Sequence, residues 1–396
     1  MARTRLPRNV IALGVVSLLT DFSSDMIYPL LPVFLTATLG AGPAALGIIE
    51  GVAEATASLL KLFSGAWSDR VGRKKPLVVA GYLLSSVARP LVGFASAWGH
   101  VLAVRFSDRI GKGIRSSPRD ALIAASVPAE DRGRAYGLHR AMDHLGAVFG
   151  PVAAFLLLAG AGLSYRSVFF LAAIPGAAAV ASLLFFVRDA GTQASRPGGG
   201  FALTGGLPPA FRRYLLIVSL FTLGNASDSF LILRAVDSGV PAAWVPLLWG
   251  AFHVVKSSLS THAGILSDRW SRKHLIVAGW IVYAATYTLW GMVEGPAWMV
   301  ALFLVYGLYS AATEGTERAF VADFVPQGRR GTAFGWFHLA VGLSALPASV
   351  LFGVLWNAYG PRAAFGASAG LAVAASVLLL LLSPPSAPAE SGQGPR

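Results

Sequence analysis

Apolar stretches of about 20 residues recur along almost the whole of this 396-residue chain. A helix of that length matches the roughly 30 Å hydrocarbon core of a bilayer, so the chain is expected to fold as a set of membrane-spanning helices. Only 13% of the residues are charged and 55% are hydrophobic, whereas soluble domains carry roughly a quarter charged residues. No soluble domain of any size is expected. Glycine, proline and charge clusters cut the apolar stretches into spans near 9 to 38, 45 to 67, 76 to 96, 99 to 126, 134 to 160 and 165 to 188. A second set runs near 211 to 237, 242 to 266, 274 to 293, 297 to 324, 331 to 356 and 362 to 383.

The expected fold class is therefore all-α and polytopic, with about twelve transmembrane helices in two pseudo-symmetric six-helix bundles. Residues 1–188 form the first half and 211–383 the second. The stretch 189–210, rich in Gly, Ser and Pro, is a cytoplasmic linker, and 384–396 a disordered tail.

A net charge of +13 could signal nucleic acid, but position argues against it. The basic residues fall in alternate connections: Arg3, Arg5 and Arg8; Arg70, Arg73, Lys74 and Lys75; Arg132 and Arg134; Arg188, Arg196, Arg212 and Arg213; Arg269, Arg272 and Lys273; Arg329 and Arg330. The connections between them have almost none. By the positive-inside rule the basic side is cytoplasmic, which puts both termini inside a bacterial-type inner membrane. The basic stub before the first apolar run lacks a small-residue cleavage signal and is read as leading into a first span. The chain has no cysteine, which excludes disulfides and thiolate metal sites. No cofactor or metal is expected.

Internal repetition organises the chain. Gly65 begins GAWSDRVGRKKPLVVAGY and Gly264 begins GILSDRWSRKHLIVAGW, while Val127 begins VPAEDRGRAYG and Val325 begins VPQGRRGTAFG at nearly the same offset. Parallel halves of this kind suit transporters that hold solute between the halves and rock around it.

The run Gly65, Asp69, Arg70, Gly72, Arg73, Lys74 and Lys75 resembles the signature between the second and third helices of the major facilitator superfamily. Its degenerate copy at Gly264, Asp268, Arg269, Arg272 and Lys273 lies between helices eight and nine, where that family repeats it. The resemblance covers essentially the whole chain and implies a latch holding an outward-open state, with monomeric function. In the fifth span Gly137, Gly146, Gly150 and Pro151 follow the spacing of the family's antiporter branch, although Ala154 and Phe155 stand where that pattern has glycines. Arg109 and Gly113 match the family's Arg and Gly motif of the fourth span, which in proton-coupled members is thought to influence protonation of a nearby acid.

Charged side chains at membrane depth are costly and usually face a bundle interior or an aqueous cavity. In the fourth span Arg105, Arg109, Lys112, Arg115 and Arg119 fall within about a third of the helical circumference, with Asp108 on the same face. This stripe is expected to line a hydrophilic cavity, or, from about Arg115, to extend into the cytoplasm. Asp21 and Asp25 share a face of the first span with Tyr28, and Glu50, Glu54 and Lys61 share one of the second. Asp25, then Asp21 and Glu54, are the candidate proton carriers, with Arg109 as modulator. Alternating access can shift a carboxylate between a desolvated site and an Arg neighbour, and so load or release a proton. Permanent ion pairs locking the first, second and fourth helices are the structural alternative.

Candidate solute ligands are Tyr28, Glu50, Arg105, Lys112, Arg140, Asp143, His144, Asn225, Asp228, His253, Lys256 and Glu314. Candidate gating residues are Asp69, Arg70, Arg73, Lys74, Arg119, Asp268, Arg269, Glu317 and Arg318. Glu317 and Arg318 correspond, at the repeat offset, to Arg119 and Asp120. Trp249, Tyr306, Tyr309 and Trp336 are candidate pathway aromatics or packing residues. The expected partners are protons, the lipid bilayer and a small-molecule solute, anionic or zwitterionic by the Arg-rich fourth span. No nucleophile elbow, phosphate loop or paired metal-ligand His motif is present, so no enzyme is expected. The expected function is proton-coupled antiport exporting a small organic solute. Proton symport or uniport importing an organic anion is the alternative, and a non-transporting receptor the third reading.

Overall fold

The computed structural model describes the backbone of residues 6–71, 74–127, 132–189, 207–324 and 330–382, and among them there is no strand. Among the described residues, nine helical segments are long and apolar enough to cross a bilayer. The last of these, Ala333–Leu381, is two helices, because Gly360 at φ 81 and ψ 174 breaks it. Trp98–Ala125 and Val245–Arg269 are of spanning length too, but charged and polar residues interrupt their hydropathy. The described residues thus form the rods α1 Arg8–Thr38, α2 Pro43–Val71, α3 Lys75–Phe94, α4 Trp98–Ala125, α5 Arg132–Phe155, α6 Tyr165–Phe186, α7 Pro209–Asp237, α8 Val245–Arg269, α9 Arg272–Met292, α10 Pro296–Asp323, α11 at 330–359 and α12 at 361–381.

The packing repeats. In the first half α1 lies against α5 and α6, and α4 against α2 and α3; in the second, α7 lies against the α11–α12 pair and α10 against α8 and α9. Matching residues make matching contacts. A Cβ at Gly81 of α3 would stand 2.6 Å from Arg115 of α4, and at the same spacing in the second half Gly279 of α9 faces Thr313 of α10. Turns repeat as well: Gly162, before α6, and Gly360, before α12, both have positive φ, at 65 and 81, a conformation that glycine adopts without a Cβ clash.

The halves meet along α2 with α11 and α5 with α8. Near the end opposite the basic connections this seam is tight. A Cβ at Gly51 would stand 2.9 Å from the Leu346 carbonyl oxygen, one at Gly353 2.5 Å from that of Pro43, and Gly47 abuts the Ser349 carbonyl. Small residues allow this approach of backbones without side chains between them.

α1 and α7 are interrupted at corresponding positions of the two halves. α1 leaves α-helical geometry after Asp25, passes through a 3-10 turn at Tyr28–Leu30 that contains Pro29, and resumes at Leu31. α7 breaks after Gly224, where Asn225 has ψ 79, and restarts at Ser229. Proline supplies no N–H, and its ring clashes with the carbonyl four residues earlier, that of Asp25, which accounts for the first break. Discontinuous helices in corresponding positions of two halves are where transporters place their binding sites.

Candidate functional site

The two breaks lie beside each other and bring acids and aromatics together. Asp25 ends the first segment of α1 and Asp228 precedes the second segment of α7. The Trp249 indole N–H, from α8, donates to Asp25 Oδ1 at 3.3 Å, and the Ser229 hydroxyl to Tyr28 Oη at 3.3 Å. Tyr28 and Trp249 also pack ring on ring, with centroids 5.1 Å apart. On the far side Tyr306 Oη donates to Asp228 at 2.6 Å and the Asn225 amide to Tyr309 Oη at 3.3 Å. Tyr283 and Tyr287 stack behind these rings at 4.0 Å.

The glycines of α5 seat the acid-bearing part of α1. A Cβ at Gly146 would stand 3.0 Å from Asp21 Cβ, and one at Gly150 2.5 Å from the Phe22 carbonyl oxygen. Larger residues there would push Asp21 and Asp25 away from α5. Asp143 of α5 accepts a short hydrogen bond from Ser17 of α1 and lies 3.6 Å from Arg140 and 3.5 Å from His139.

The expected cationic stripe of α4 divides among three neighbours. Arg105 forms a buried pair with Glu50 of α2, one guanidinium nitrogen lying 2.8 and 2.9 Å from the two carboxylate oxygens, and packs over the Tyr28 ring at 5.3 Å. Asp108 turns to α3 and pairs with Arg89 at 2.9 Å, whose other arm donates to the Thr20 carbonyl. Arg115 also turns to α3, lying over the Tyr82 ring at 4.4 Å and donating to Ser85. Arg109 and Lys112 are left facing the interior, within electrostatic reach of Glu54, Lys61 and Asp21. Arg109 Nε is buried without a hydrogen-bond partner.

Across the seam, Lys256 of α8 pairs with Glu314 of α10 at 2.8 Å, and Arg318 reaches the same carboxylate at 3.2 Å. His144 sits within electrostatic reach of Lys256 and Glu314. His253 packs against Trp249 at 4.9 Å, with neither ring nitrogen hydrogen-bonded. Glu54 is exposed, as are the side chains of Arg140, Glu314 and Arg318 at 59, 43 and 45%. Exposed charge so far inside its helices marks a water-filled space. Among the described residues, the close backbone contacts between the halves lie toward the end away from the basic connections.

Among the gating candidates, Arg119 pairs with its neighbour Asp120 at 2.9 Å and Glu317 accepts the Trp280 indole N–H at 2.9 Å. The Lys74 backbone N–H donates to Asp189 at 3.3 Å. The side chains of Asp69, Arg70, Arg73, Asp268 and Arg269 fall outside the described residues. Arg89, Tyr82 and Trp280 take part in these networks without having stood out in the sequence. An Arg inside the apolar run of the third span was the available signal for the first.

Comparisons with known proteins agree on the scaffold. The family model described as Major Facilitator Superfamily matches residues 13–258 and 235–396. An uncharacterized MFS-type transporter of Methanocaldococcus jannaschii is 33% identical over 384 residues, covering 95% of each chain. The multidrug resistance protein MdtH of Escherichia coli is 23% identical over 333 residues, 80% of this chain and 79% of that one. Among solved structures, the nucleoside transporter NupG superposes with a TM-score of 0.81 at 14% identity, covering 94% of this chain and 99% of that one. With its two matched halves, broken α1 and α7 and a family match over nearly its full length, the chain belongs to the major facilitator superfamily of membrane transporters.

Proposed function

We propose that this chain is a proton-coupled antiporter that exports a small organic solute by alternating access. It works as a monomer in a bacterial-type inner membrane, with the basic end and both termini in the cytoplasm. The observation that carries the proposal is the Asp25–Trp249 contact, which places a carboxylate of one half against the other half at the junction of the two broken helices. Asp25 is the principal proton carrier, with Asp21 and Glu54 in support and Arg109 and Lys112 tuning them. A proton arriving at Asp25 weakens its hold on Trp249 and frees the halves to part. Tyr28, Asn225, Asp228, His253 and the Tyr306 ring form the solute-facing wall, with Arg140, Asp143, His144, Lys256 and Glu314 along the route to the cytoplasm. Glu50 and Arg105 stiffen the α2–α4 side of that wall. The likeness to a multidrug resistance protein supports export.

Closure of the cytoplasmic end is assigned to α4 and α10. Arg119 and Asp120 correspond, at the repeat offset, to Glu317 and Arg318, and the charge signs at these positions are inverted. Each side is held within its own half in the present conformation. When the halves rock together, Arg119 meets Glu317 and Asp120 meets Arg318.

A second reading, proton symport of an organic anion, is favoured by the unpartnered buried Nε of Arg109, which would hold a carboxylate. Proteoliposomes distinguish the two. With a solute found by thermal-shift screening, antiport gives solute efflux from vesicles as protons enter, while symport gives both moving together. Solute movement indifferent to an imposed pH gradient contradicts both.

A further inference from the structure

A cavity of about 700 Å³ lies away from the solute pathway, on the outer face of the first half where α1, α4 and α6 end on the basic side. Asn9 forms its floor and ties the three helices together: its amide donates to Ser126 at 2.9 Å and to the Arg188 carbonyl at 3.0 Å, and accepts from the Arg188 N–H at 2.8 Å. Arg8 and Arg188 stand at the mouth, both exposed. Neither has an ion-pair partner among the described residues. The acid of the lining, Asp189, accepts the Lys74 N–H.

Below the arginines the wall changes character. Ile11, Val15, Phe185 and Phe186 line it toward the membrane interior, and Phe185 is 80% exposed and Phe186 63%. Two cations at the interface above an apolar slot are complementary to a molecule with an anionic head and acyl chains. Free phosphate would use only the upper part, and a soluble peptide could not reach the lower part from water. We propose that this cavity is a binding site for one anionic phospholipid of the leaflet on the basic side, with its phosphate between Arg8 and Arg188 and an acyl chain along Phe185 and Phe186. Basic pockets between helices on the cytoplasmic side hold such headgroups in other membrane proteins. Because Asn9 joins α1 to α4 and α6 at the floor, a lipid seated here braces the end of α1, the helix that carries Asp21 and Asp25.

The test uses the full chain in nanodiscs and by native mass spectrometry. Phosphatidylglycerol should remain bound to wild-type protein and raise its Tm relative to phosphatidylcholine. Arg8→Gln with Arg188→Gln should weaken retention about 30-fold, from roughly 1 kcal/mol per basic residue at an anionic surface. Phe185→Ser should weaken it with both arginines in place. The double variant should match the wild-type Tm in phosphatidylcholine, which separates lost binding from misfolding. Equal retention of phosphatidylglycerol by wild type and double variant overturns the proposal. So does a Tm shift that inorganic phosphate reproduces in full, or one that phosphatidylcholine equals.

Discussion

Trp249 of the second half donates its indole N–H to Asp25 of the first at 3.3 Å, and both residues sit where a helix is interrupted or packs on an interruption. The contact closes the junction between halves with a group whose charge depends on protonation. Trp249→Phe keeps the ring packing on Tyr28, Phe252 and His253 but removes the donor. It is expected to favour the state open at the non-basic end. The chain has no cysteine, so spin labels introduced at Gly42 and Asn357, which face each other across that end, report the change directly: a longer distance is expected in the Phe variant.

The tight seam of α2 on α11 leads to a second expectation. Gly47→Val puts side-chain atoms where the Ser349 carbonyl lies, so the non-basic end cannot close as it does here. Transport should fall at least tenfold while Tm in detergent changes by only a few degrees. The same label pair should show the long distance alone, where wild type also populates the short one of the present conformation.

Buried ion pairs in the first half should behave as structural locks. Removing one partner of such a pair costs about 3 to 5 kcal/mol because the other charge is left buried. Asp108→Asn, which strands Arg89 among α1, α3 and α4, is expected to lower Tm strongly. Asp108→Leu combined with Arg89→Met should recover most of the loss. Thermal unfolding in detergent measures both.

Charge inversion between the repeats gives a fourth test. Glu317→Arg and Arg119→Glu should each impair closure of the basic end and reduce transport severalfold, and the double exchange should restore part of it. Transport by the double variant no better than by either single one would remove the α4–α10 latch.

Much of the scaffold was legible in the sequence, for reasons the structure makes physical. The spans follow from the length of apolar runs, and the halves from the repeated loops around Gly65 and Gly264. The breaks in α1 and α7 escaped, although Pro29, Pro32 and the Gly224–Asn225 pair are their signals, because apolar flanks on both sides read as one continuous span. Helical periodicity puts the α4 stripe on one face. A helix inside a bundle presents several neighbours to an arc that wide, so Arg105, Asp108 and Arg109 found α2, α3 and the interior respectively. Which helix faces which is set by packing between spans, and residue spacing along one span carries no record of it. For the same reason depth and the face shared with Asp21 and Tyr28 mark Asp25 as a candidate, while its partner Trp249 lies more than two hundred residues away.

Proton movement through Asp25 is the centre of this account, and flux in proteoliposomes measures it. With a pH-sensitive dye inside the vesicles and a solute identified by thermal shift, wild-type protein should acidify or alkalinise the lumen only when solute moves. Asp25→Asn should still bind solute and exchange it across the membrane, without any proton signal. Solute-linked proton flux that persists at wild-type rate in Asp25→Asn would contradict the account.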